Sequence, residues 1–160
     1  LMLGLGRTFQ LEEEDGAMQG VLLSPIPRDA LFLGKTVANF HLLTVVTALV
    51  FGVFALFFDL SLGEHPLALA AVVLLGILGF VATATLFSAM SARTTMGETL
   101  LPILTFPLLI PVVIYGATAT SSLFQGLPVS EVDGPIRMLA AFALVALAAG
   151  AGLFRFVVEE

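Results

Sequence analysis

Three groups of residues in this 160-residue chain carry atoms that could do chemistry. Gly34-Lys35-Thr36 matches the end of a phosphate-binding loop, where backbone N–H groups and a lysine hold nucleotide phosphates. Glu12-Glu13-Glu14-Asp15 sets successive carboxylates in a row, a composition that could attract a cation. His41, close to Asn39, and His65 bring imidazoles that could ligate a metal or a haem iron. Spacing works against each. Where the phosphate loop needs its first glycine stands Asp29, and Ala30-Leu31-Phe32-Leu33 reads as the opening of a helix and not as a glycine-rich turn. Nucleotide binding by this chain is therefore rejected, and Lys35 is expected to stretch its ammonium to a membrane interface. Consecutive acids on a helix point in different directions, and no loop of spaced oxygen ligands follows them, so a solvated face that can dock a basic partner is the better reading. Asn39 and His41 are polar groups inside an apolar run, a pattern that marks a functional site by default. A hydrogen bond to a neighbouring helix is the simplest role for His41. His65 stands alone in a short loop before Pro66 and is a weak haem ligand. With no cysteine there is no disulfide, zinc–thiolate site or thiol nucleophile. No metal site, hydrolytic triad or HExxH motif is found.

The elements that must position these groups are dictated by composition. The chain is 59% hydrophobic and 11% charged, with a mean hydropathy of +1.10. Soluble domains carry about 25% charged residues, so this chain cannot clothe a globule in polar surface, and the lipid bilayer is its solvent. A net charge of -6 excludes nucleic acid, which needs a basic face. Four apolar runs, about 36–58, 67–90, 100–119 and 138–158, each approach or exceed the roughly 20 residues that cross hydrocarbon as a helix. They are apolar all round, which excludes the alternating pattern of a barrel strand. The expectation is an all-α polytopic membrane protein, one transmembrane permease-like domain over 1–160. Leu1 to Gly6 reads as the tail of a further helix.

Counted by alternate sides, Arg7, Arg28, Lys35, Arg93 and Arg155 share one face of the membrane and Arg137 lies on the other. The positive-inside rule places the loop 7–35 and the C-terminus in the cytoplasm. In the third span Pro102, Pro107 and Pro111 each remove a backbone donor, predicting a kink or break that could serve as a hinge. The fourth span pairs small residues four apart, Ala146 with Gly150 and Ala148 with Gly152, and Gly76 and Gly79 do the same work in the second. Such residues let helix backbones approach where lipid offers no hydrophobic drive. Segment 120–137, with Pro128, Glu131, Asp133, Gly134 and Pro135, reads as the longest outward linker.

The polar loop 7–35 has an internal design. Arg7 to Asp15 can carry a helix out of the bilayer, Gly16 breaks it, and Ala17 to Leu23 can form a short apolar surface helix containing Met18, Gln19 and Leu22. Ser24-Pro25-Ile26-Pro27 then forces extended backbone, and Asp29 suits the start of the next helix. The product is a lever that a soluble subunit could grip.

This loop, from Phe9 through Gly16, Ser24-Pro25 and Gly34-Lys35, resembles the first cytoplasmic loop of the CcmB family, the haem exporter permease subunit of cytochrome c maturation. More distantly it is similar to ABC-2-type export permeases, and the proline-marked third span resembles the same family. The likeness covers essentially the whole chain. It implies that the chain runs from the end of a second transmembrane helix through a sixth, in a bacterial inner membrane, multi-pass. It also implies a non-catalytic subunit without a cofactor of its own. A separate ABC ATPase subunit would bind ATP, and other membrane subunits of the cytochrome c maturation complex would hold haem. The ATPase would meet Glu12, Glu13, Glu14, Gly16, Met18, Gln19, Leu22, Ser24, Pro25, Gly34 and Lys35. Met18-Gln19 stands where the family usually has leucine and glutamate, so a charged contact there would be reduced to a neutral one. The alternatives are an exporter of another substrate, such as a drug or glycan, and a membrane scaffold with no motor.

Overall fold

The structure is a computed structural model and describes residues 28–58, 65–92 and 97–159. The described residues form helices α1 (Arg28–Phe58), α2 (Pro66–Ala92), α3 (Gly97–Phe124) and α4 (Val129–Glu159). Four stretches within them, Ala30–Phe57, Pro66–Ser88, Thr105–Phe124 and Val129–Leu153, are long and apolar enough to cross a membrane. In hydrocarbon every backbone N–H and C=O must be satisfied within the segment, and a helix does this from local sequence alone. The fold is all-α and polytopic.

Proline and glycine set the boundaries. α2 opens on Pro66, whose missing N–H costs nothing in a first turn, and Leu69 N–H closes that turn on the His65 carbonyl at 3.1 Å. α3 ends in a Schellman cap. Gly126 takes φ +72°, its N–H reaches Leu123 O, and Leu127 N–H reaches Ser122 O, both at 3.1 Å. Replacing Gly126 by valine is expected to cost about 1–2 kcal/mol, because a β-carbon strains the left-handed region. Denaturant unfolding of the purified protein in detergent measures it.

Segment 120–137 departs from the linker expected there. Helix runs to Phe124 and resumes at Val129, leaving only 125–128 between the two. Above the apolar layer α4 is an ordinary amphipathic helix. Val132 and Leu139 turn inward and are buried, while Asp133 and Arg137 face out and pair one turn apart. Polar residues meant for water read as a loop when only hydropathy is scanned. Pro135 sits inside the helix and forfeits only the bond to the Glu131 carbonyl.

α2 is the central helix and packs on all three others, while α1 packs on α2 and α4. At the α3–α4 turn, Leu69 and Val72 of α2 meet Ala119 and Leu123 of α3 and Val132 and Leu139 of α4. Deeper in, Leu43 of α1 packs against Ile77 and Val81. Gly79 makes the close approach expected of it: a β-carbon there would lie 3.0 Å from the Phe142 ring of α4 and 3.4 Å from Val112 of α3.

Candidate functional site

α1 carries most of the described polar candidates, and it holds them on different faces. Phe32, Thr36, Asn39 and Leu43 are buried at helical spacing, whereas among the described side chains of α1 none from 44 to 57 is buried. The helix is therefore anchored at its loop end and largely open to lipid further on. Between α1 and α2 this leaves an apolar cleft of about 350 Å³, walled by Thr44, Thr47 and Phe51 on one side and by Leu69, Val73 and Ile77 on the other.

Gly34, Lys35 and Thr36 lie beyond the first turn of α1. Their N–H groups are spent on helix bonds and cannot cradle a phosphate, which gives the rejection of a nucleotide loop its structural reason. Gly34 is exposed and has open space where a β-carbon would go, while Lys35 is half-buried. Asn39 is buried, and its Nδ2 donates to Thr85 Oγ1 of α2 at 3.4 Å. His41, two positions on, points the other way. It is exposed, with Nδ1 3.2 Å from the Val37 carbonyl of its own helix and its ring edge-on to Phe40. Asn39 and His41 do not form one site, and the partner of His41 is its own helix, not a neighbouring one. Among the described residues no cluster of His, Asp and Glu could hold a metal.

α3 runs unbroken through Pro102, Pro107 and Pro111, so the expected break does not occur. Each proline withdraws a single donor, from the carbonyls of Glu98, Ile103 and Pro107, and the remaining ladder carries the helix through. Pro107 is exposed and Pro111 half-buried. Glu12, Glu13, Glu14, Gly16, Met18, Gln19, Leu22, Ser24 and Pro25 lie outside the described residues.

One assembly was not foreseen. Five further polar side chains among the described residues are buried in the bundle, Thr36, Thr83, Thr85, Ser88 and Thr105, and Thr85 is the partner of Asn39. A signal for it exists in the sequence, since Thr36 and Asn39 lie three apart on α1, as do Thr85 and Ser88 on α2. Beneath it, the Phe32 ring occupies a notch left by Gly150 of α4, where a β-carbon would come within 2.7 and 2.9 Å of ring Cε1 and Cε2. Of the two expected small pairs in α4, Ala146 and Gly150 therefore face the bundle, whereas Ala148 and Gly152 are exposed.

The described residues form a helical membrane bundle. The CcmB protein family model matches residues 1–155. The chain belongs to the CcmB family. It is 34% identical over 151 residues to Heme exporter protein B of Pseudomonas aeruginosa, covering 92% of this chain and 64% of that protein. It is 30% identical over 147 residues to Heme exporter protein B of Rhodobacter capsulatus, covering 92% and 66%. The protein of the same name from Bradyrhizobium diazoefficiens is 28% identical over 149 residues, covering 93% and 66%. The chain thus spans a little under two thirds of the length of these relatives. No solved structure matches it. The CcmB match takes in the loop 7–35 as well as all but the last residues of the four helices.

Proposed function

We propose that this chain forms the greater part of a membrane permease subunit that serves haem delivery in cytochrome c biogenesis, worked by a separate ATPase subunit. The observation that carries the reading is the family match over residues 1–155, supported by relatives that bear the name Heme exporter protein B. The subunit is non-catalytic. It lies in a bacterial inner membrane beside other membrane subunits of the maturation complex, with the loop 7–35 and the C-terminus on the cytoplasmic side. Nucleotide-driven closure of the ATPase subunits moves the loop, with Glu12, Glu13, Glu14, Met18, Gln19 and Leu22 in contact, Gly16 and Ser24-Pro25 bounding the lever, and Gly34 and Lys35 in the opening turns of α1 receiving its motion. Because the buried residues among the described side chains of α1 lie toward its loop end, a push on the loop acts where the helix is held. Pro102, Pro107 and Pro111 each remove a backbone hydrogen bond from α3, which lets it bend.

The test uses the full-length protein co-purified with its ATPase and the remaining maturation subunits. Gly16→Asp and Leu22→Asp are expected to lower recovery of the ATPase and ATP-dependent haem handover about tenfold or more, a loss of roughly 1.4 kcal/mol in contact energy. Thr118→Ala, on the exposed face of α3, leaves both unchanged. Undiminished assembly and handover in both loop variants would remove the lever.

A further inference from the structure

Thr36 is 1% exposed, and its Oγ1 makes no hydrogen bond. A threonine inside a helix has a local remedy, since its hydroxyl can turn onto the carbonyl four residues back. Thr44, Thr83 and Thr118 all take it, at 2.7, 2.9 and 2.8 Å. Thr36 does not turn onto the Phe32 carbonyl. Its hydroxyl is held toward the bundle at a cost that a simple rotation could remove.

Its surroundings are polar. α1 and α2 run antiparallel, because Leu43 packs on Ile77 and Val81 while the lower-numbered Asn39 reaches the higher-numbered Thr85. Thr36, three residues before Asn39, therefore lies at the level of Ser88, three residues beyond Thr85. Thr85 and Ser88 are both 0% exposed. Above this level the packing is apolar at Leu43, Ile77 and Val81, and below it the fully buried Phe32 ring closes on Gly150.

We propose that Thr36, Asn39 and the hydroxyls of Thr85 and Ser88 form a binding site for a single water molecule, closed on the loop side by Phe32. Water is the ligand the donors select. It gives and accepts hydrogen bonds and typically makes about three with buried polar groups, matching neutral hydroxyls and an amide. A cation would need carboxylate or free carbonyl oxygens. The named groups include no carboxylate, and the helix backbones here are unbroken, so their carbonyls are engaged. The bound water extends the long Asn39–Thr85 hydrogen bond into a small network at the end where α1 is anchored. It can exchange partners as α1 shifts. The site stands whatever grips the loop 7–35.

The experiment is a substitution series at Thr36 in the full-length protein, read by thermal unfolding in detergent. Valine has the shape of threonine without the hydroxyl. Thr36→Val is expected to lower Tm by about 2–4 °C, while Thr36→Ser, which keeps the hydroxyl, retains most of the native value. A Tm unchanged or raised by Thr36→Val means that the hydroxyl was merely unsatisfied, and overturns the site.

Discussion

Replacing Phe32 with alanine should destabilise the bundle by about 2 kcal/mol, and Gly150→Leu should do the same from the opposite side. Phe32 is 0% exposed, so removing its ring leaves a space inside the bundle. In a membrane no transfer from water is gained by burial, because lipid tails are as apolar as leucine. What remains is the cavity term. A lost ring of about 100 Å³ at about 24 cal/mol per Å³ gives the quoted figure. Gly150→Leu fails for the converse reason. Its β-carbon would fall against the ring, at 2.7 Å from Cε1 and 2.9 Å from Cε2, and a fully enclosed ring has nowhere to swing. Overpacking of this kind costs about 1–3 kcal/mol. The decisive measurement is the double variant. Leucine at 150 can occupy the space that alanine at 32 leaves, so Phe32→Ala with Gly150→Leu should recover more than half of the summed loss in denaturant unfolding. Simple addition of the two losses would mean that ring and notch are not partners.

The notch also shows where sequence reasoning reaches and where it stops. Small residues in the fourth span announce close packing, but Ala146 with Gly150 and Ala148 with Gly152 are indistinguishable on paper. One pair faces the bundle and the other is exposed. In water an apolar stripe would have revealed the inner face. In lipid both faces are apolar and the stripe disappears. Presence and number of spans are legible because hydrocarbon thickness sets them, and the four helices follow from that. Segment 120–137 shows the opposite error, as the helical turns around Asp133 and Arg137 meet water and resemble a loop. Prolines in α3 warn of a break because each deletes a hydrogen bond, yet the rest of the ladder outweighs them. At the site itself Asn39 was legible, since an amide inside an apolar run stands out. Its separation from His41 was not, because only the helical turn between them decides the faces. Thr36 and Ser88 escaped notice because a threonine or serine in a span ordinarily satisfies itself on its own helix.

Asn39 provides the second large effect, and the two substitutions that define it pull apart. Asn39→Leu removes the 3.4 Å bond to Thr85 and leaves that hydroxyl free to turn onto its own helix. Interhelical hydrogen bonds in membranes average about 0.6 kcal/mol, with a ceiling of about 1.7 kcal/mol, so the loss should be small. Asn39→Asp keeps the size of the side chain and changes its charge. Asn39 is 7% exposed and its interhelical partner is a neutral hydroxyl, so that partner cannot neutralise a carboxylate placed there. Aspartate deep in a helix within the membrane costs about 2.5–3.5 kcal/mol on insertion scales, several times the loss expected for leucine. Yield of membrane-inserted protein and the unfolding midpoint in detergent should both rank native, then Asn39→Leu, then Asn39→Asp. His41→Asp, two residues away on the exposed face, separates depth from packing: its side chain can reach toward the interface, so it should cost less than Asn39→Asp. If Asn39→Asp were tolerated as well as Asn39→Leu, Asn39 would have to lie open to bulk water, and α1 could not be anchored on α2 through a closed polar layer.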